Sequence, residues 1–222
     1  ECWLFRRDSL ERSIRLAQQG LEIEGDNDRL FAIIAMSHAN YVNTMSGPPD
    51  TYEAHIQQAR DLAQKAIDLN PDFAPPYNSL GYALRFIGDY TAAEEAFKRY
   101  AELIPDQPNP YDSYAELLMK VGRYEESVAS YEKALAIDPN FVASYIGIGN
   151  NRMFMDRFDD ARTTFAEIEE IARNDAERRQ TRTWIAASYL HEGNFEGALD
   201  EIEKRYDIAA STDDRAAMSA DL

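Results

Sequence analysis

The chain has 222 residues, 45% of them hydrophobic and 28% charged, with 40 acidic against 23 basic side chains and a net charge of −17. That is enough apolar material for a folded protein rather than a disordered one. The acid excess argues against a nucleic-acid ligand, which needs concentrated Lys and Arg, and against docking on an anionic membrane. No run approaches the 18 apolar residues of a membrane span. Cys2 is the single cysteine, so no internal disulfide can form; this is compatible with a reducing compartment, and the cytoplasm is expected, although few cysteines do not exclude the periplasm.

From the N-terminus, residues 1–27 carry Ser13, Ala17, Gly20 and Leu21, the pattern of the second helix of a truncated hairpin. Residues 28–73 hold a helix beginning near Asp28 with Phe31, Ile34, Ala35 and His38. A second helix there carries Ala59, Ala63 and Ala66 and stops at Pro71. Between them Ser46-Gly47-Pro48-Pro49-Asp50 marks a loop.

Four regular units follow. Their turns are Gly88-Asp89-Tyr90, Gly122-Arg123-Tyr124, Asp156-Arg157-Phe158 and Gly193-Asn194-Phe195, spaced by 34, 34 and 37 residues. In residues 74–107, Tyr77, Leu80, Gly81 and Leu84 form one helical stripe. Gly88 breaks it, Tyr90, Ala93, Phe97 and Tyr100 form a second, and Pro105 ends it. Residues 108–141 and 142–175 repeat the scheme. Residues 179–212 form the fourth unit, and residues 213–222 look like the start of a further first helix. Arg173 stands where the earlier units have proline, so the second helix of the third unit is expected to run on and absorb the three extra residues. Relative to 34 residues, the unit at 28–73 carries a 12-residue insertion.

A fixed period of this length is the signature of a helical repeat array. Small residues recur at the helix crossings: Gly81, Ala115, Gly149 and Ala186 on first helices, and Ala93, Ser127, Ala161 and Ala198 on second helices. Omitting a side chain there lets two backbones approach. Tyr77-Asn78-Ser79-Leu80-Gly81, followed by Ala93, Phe97 and Pro105, resembles the tetratricopeptide repeat, W-x2-L-G-x2-Y…A-x3-F…P. Sel1-type repeats are the near neighbour, with a longer and less constant period. The resemblance implies an all-α fold, a right-handed α-α superhelix or solenoid of stacked helix-turn-helix hairpins. Both edges cut through a hairpin and the first residue is not Met, so a piece of a longer protein is expected.

Chemistry-bearing patterns are sparse. His38, His55 and His191 show no metal-ligand spacing, and no nucleophile–base set is legible, so neither an enzyme nor a cofactor or metal site is expected. Gly147-Ile148-Gly149 follows no strand and reads as packing rather than a phosphate loop. Asp156, Asp159 and Asp160 lack the glycine and closing glutamate of a calcium loop.

What the resemblance implies is binding. In such arrays the first helices line a concave surface that holds extended peptides or proteins. The first-helix residues not used by the packing stripes are therefore the candidates. They are Asn78, Tyr82, Arg85 and Phe86; Asp112, Glu116, Met119 and Lys120; Asn150, Met153 and Phe154; and Trp184, with Ile146, Thr183, Ala187 and His191 beside them. Arg85 and Lys120 are rare positive charges there, while Asp112 and Glu116 favour basic partner residues. The carboxylate clamp of the chaperone-tail readers is not carried over, because Asn78, Tyr82, Ser113, Ala143 and Gly147 stand at its positions. The expected function is a non-catalytic interaction scaffold. The alternative is a regulatory or sensory segment of a larger bacterial signalling protein bearing a kinase, cyclase or transcription-activator domain. Exposed terminal repeats also predict self-association.

Overall fold

The computed structural model describes residues 2–211, with side chains from residue 7 onward. The expected further helix at 213–222 lies outside the described residues. Among those described there are eleven α-helices, one short 3-10 turn and no strand. In chain order they are α1 (Cys2–Glu24), α2 (Asp28–Asn43), α3 (Tyr52–Leu69), α4 (Pro75–Phe86), α5 (Tyr90–Leu103), α6 (Pro108–Lys120), α7 (Tyr124–Ile137), α8 (Val142–Phe154), α9 (Phe158–Ile171), α10 (Asp175–Glu192) and α11 (Phe195–Ser211). Their contacts divide the chain into two blocks, Glu1–Leu117 and Leu118–Leu222.

In the first block each helix packs on its sequence neighbour through α5, and α2 also reaches α4. Ala39, Ala59, Tyr82, Ala83, Ala93, Phe97 and Leu117 form one buried cluster. Phe31, Ala32 and Ala66 form another, with Leu21, Leu62 and Phe73 against it. Gly81 shows why α4 and α5 can close: a Cβ there would lie 2.7 Å from the Phe97 ring. The insertion lengthens α2 to Asn43 and leaves 44–48 as a loop before the 3-10 turn Pro49–Thr51. Packing and hydrogen bonding both hold this loop. Gly47 leaves room for the Tyr41 hydroxyl, which a Cβ would meet at 1.9 Å, and Tyr52 donates its hydroxyl to the Gly47 carbonyl at 2.9 Å.

In the second block α7 to α11 pack in succession. Ala161, Phe165, Ile168 and Ile185 are its buried centre. Both glycines of Gly147-Ile148-Gly149 lie on α8 and face aromatic rings, Gly147 against Tyr131 and Gly149 against Phe165, where a Cβ would come within 2.1 and 2.2 Å. The turns use the left-handed region throughout: φ is 81° at Gly88, 80° at Gly122, 83° at Gly193, and 56° at Asp156, which lacks glycine's freedom.

One periodic contact went unread in the sequence. The Tyr77 hydroxyl donates to the Pro71 carbonyl, Tyr111 to Pro105 and Tyr145 to Pro139, at 2.9, 3.1 and 3.1 Å. The stop proline of one unit is thus tied to the first helix of the next. The fourth unit has Arg173 and Arg182 in these two places, and its entry is built differently. The expectation that α9 runs on is corrected: α9 has 14 residues, like α5 and α7. The extra length sits in α10, with 18 residues against 13 in α8. Asn174 caps α10 by accepting from the Glu177 amide at 3.0 Å, and the Glu177 carboxylate accepts from the Arg173 amide at 2.8 Å. With the cap in this position, the helix starts at Asp175 without a proline.

Candidate protein-binding surface

Positions 34 residues apart in the sequence share the same register within their own first helices: 82, 116 and 150, and likewise 86, 120 and 154. The first block holds one dense group. Arg85 lies over the rings of Tyr82 and Phe86, at 4.8 and 5.3 Å from their centroids. Its guanidinium donates to Glu116 Oε2 at 3.1 Å and to Asn43 Oδ1 at 3.0 Å. Only 14% of this side chain is exposed. Tyr82 belongs to the core: its ring meets Phe97 edge-on at 5.3 Å, and its hydroxyl donates to Ser113 at 3.3 Å. Burial, and next the Glu116 charge, push that hydroxyl's pKa up. Asp112 is buried. Asn78 is half-buried, and its Oδ1 is a buried acceptor without a partner. Phe86 is 38% exposed.

In the second block the candidates separate. Met153 and Trp184 pack against the buried centre, and Trp184 stacks on Phe165 at 6.2 Å. Ile146 packs there as well. Met119 and Asn150 are half-buried, while Lys120 and His191 are exposed. Phe154 is 59% exposed, and its inner face stacks on Tyr124 at 5.6 Å and 20°. The residues on display are therefore Phe86 in the first block and Lys120, Phe154 and His191 in the second; Tyr82, Asp112, Met153 and Trp184 are buried or packed on the core. Asn43 and Tyr124 were missed by sequence reasoning. Asn43 comes from the insertion, outside the repeat. Tyr124 was read as a turn aromatic that opens the second-helix stripe, not as part of the binding face.

The histidines are also rearranged relative to the sequence reading. His38 on α2 and His55 on α3, 17 residues apart, meet with their Nδ1 atoms 2.7 Å apart, and Tyr41 stacks on His55 at 3.7 Å. Burial, and next the neighbouring His55, lower the His38 pKa to about 4; burial is also the largest cause lowering that of His55. No group of three His, Cys, Asp or Glu side chains that could hold a metal occurs among the described residues. No described helix is long and apolar enough to cross a membrane.

Successive two-helix hairpins that repeat in register, with small residues at the crossings, define a helical-repeat protein. Residues 118–185 match a model described as tetratricopeptide repeat, and residues 62–95 match a second model of the same description. These matches place tetratricopeptide repeats at residues 62–95 and 118–185 of the chain. Among solved structures it is similar to MamA from Desulfovibrio magneticus RS-1, with a TM-score of 0.61 and 16% identity over 85% of this chain and 98% of that one. A thermophilic TPR protein from Thermus thermophilus gives 0.61 and 16% over 86% and 98%. YrrB, described as a TPR protein with an unusual peptide-binding site, gives 0.52 and 17% over 92% and 96%. At these identities the likeness is one of fold. No curated protein matches the chain.

Proposed function

We propose that the chain is a non-catalytic scaffold that holds a peptide or protein segment on its first-helix faces. The observation that carries this reading is Phe154: a large aromatic at the end of a first helix, 59% exposed, with its ring already ordered by Tyr124. A pre-positioned ring binds a partner's apolar side chain with little further ordering cost. Lys120, one register earlier, is an exposed cation in an acidic chain and can answer a partner carboxylate. In the first block the unpartnered Asn78 Oδ1 is an acceptor whose deficit a peptide N–H would relieve once the side chain turns outward. The fold supports this use, since stacked hairpins are built to present extended surfaces. YrrB, of similar fold, is itself described as peptide-binding.

The experiment is affinity capture with the 222-residue chain, comparing Lys120→Glu with Phe154→Ala against Glu132→Lys on the exposed face of α7. The first pair is expected to remove the captured protein without lowering the melting temperature, and the third variant to leave capture intact. Capture lost only in Glu132→Lys would place the partner on the second helices and overturn the reading. Arg85 is a poor probe, because an acid there would face Glu116 and forfeit both ring contacts.

A further inference from the structure

A groove runs beside α4 on a face other than the one carrying Asn78, Tyr82 and Arg85. One depression of about 530 Å³ is lined by Tyr77, Leu80 and Leu84 of α4, with residues of α3 and α5 on either side. Another, of about 340 Å³, lies where Glu53, Ile56 and Gln57 of α3 meet Phe86 and Ile87 at the end of α4. Arg60 lines both, so the two adjoin at that side chain. At 3.6 residues per turn, positions 77, 80 and 84 lie roughly 120° around the helix from positions 78, 82 and 85. The larger depression is therefore turned away from the first-helix face, and the smaller one reaches the edge of that face at Phe86.

Its apolar content is open to solvent at one end, where Ile87 is 52% exposed and Phe86 38%. Its charges are unevenly committed. Arg99 donates to Asp72 and Glu102 at 3.1 and 3.2 Å, and Arg60 sits 3.5 Å from Asp61. Gln57 donates its amide to Asp61 as well. Glu53, at one depression, and Glu95, at the other, are exposed and have no ion pair or side-chain hydrogen bond among the described residues. The cations of the groove are thus answered internally and two carboxylates are not. A charge-complementary occupant brings positive side chains flanking apolar ones.

We propose that this groove docks a basic, apolar peptide segment of a partner protein, its large apolar side chains seated over Leu80, Leu84 and Ile87 and its Lys or Arg side chains paired with Glu53 and Glu95. The site is additional to the first-helix face, so one scaffold can hold two segments at once, and linking them raises avidity without any new contact.

The test uses the 222-residue chain and fluorescein-labelled peptides of three compositions: leucine with lysine, leucine with glutamate, and alanine with lysine. Fluorescence anisotropy is expected to show saturable binding of the first alone, weakened by added salt. Glu53→Lys with Glu95→Lys should weaken that binding by about tenfold and remove its salt dependence. Ile87→Ser should weaken it without altering the salt slope. Equal binding of the glutamate peptide, no saturable binding of the leucine–lysine peptide, or indifference to both variants would overturn the proposal. If Lys120→Glu with Phe154→Ala abolishes binding and the groove variants do not, the peptide sits on the first-helix face; this proposal then fails and the scaffold reading stands. A self-associating chain whose association is lost in the Glu53→Lys, Glu95→Lys variant would make a second copy the occupant, and would likewise overturn it.

Discussion

Close packing in this protein is set by single atoms at helix crossings. Gly149 is a clear case, because a Cβ there would stand 2.2 Å from the Phe165 ring, which is itself fully buried. Gly149→Ala is expected to cost about 1–3 kcal/mol in urea denaturation, the usual cost of overpacking a core. Phe165→Leu on top of it should recover part of the loss, so that the two changes are less than additive. Asp156 presents the opposite case. It sits at φ 56° where the three other turns have glycine. Asp156→Gly should stabilise the fold by about 0.5–1 kcal/mol by relieving the left-handed strain, read as a higher denaturation midpoint. A lower midpoint would mean that the extra freedom of glycine in the unfolded chain outweighs the strain. The repeat pattern made both positions visible in the sequence, Gly149 as a small residue in a crossing row and Asp156 as the exception in a row of turn glycines. Which ring each glycine meets was not visible, since that depends on the neighbouring helix.

Between elements, the contact that sequence spacing could not supply is His38 with His55. It joins α2 to α3 across the insertion, and the partially buried pair is held neutral. The sign follows from linkage. The folded pKa of His38 is about 4 against 6.5 for the free side chain, so between these values the unfolded chain binds more protons than the folded one. The stability from the neutral pair is therefore present above about pH 6.5 and is lost as the pH falls toward 4. Denaturant midpoints are expected to fall from about pH 7.5 to about pH 5, and His38→Asn should flatten that slope. An unchanged slope in the variant would assign the acid sensitivity to other groups. The fourth hairpin shows a second element-scale effect. Arg182 of α10 joins Glu169 of α9 and Glu201 of α11, at 2.6 and 2.9 Å, with Glu201 only 5% exposed. This ion network fastens the unit in which neither the Tyr nor the Pro of the earlier tie is present.

At the scale of the whole molecule, charge is the main influence on how stability responds to solution conditions. A net charge of −17 on 222 residues destabilises any compact state by self-repulsion, and salt screens it. The melting temperature is expected to rise between low salt and about 0.3 M sodium chloride. A fall would mean that the many exposed ion pairs outweigh the repulsion, against their usual small worth. The sequence by itself determined the repeat: turn position and small crossing residues follow from local propensity and a 34-residue period, which survive without knowledge of any neighbour, whereas the placing of the extra length in α10 rather than α9 did not follow from it. Tertiary structure alone decided which first-helix residues are available. Tyr82 and Phe154 look alike in sequence as unassigned aromatics. One is buried on Phe97 and the other is left open on Tyr124, because burial depends on what packs from adjacent helices. For the same reason Arg85, read as a rare positive charge of the binding face, is held by Asn43 and Glu116, partners 42 and 31 residues away in the chain.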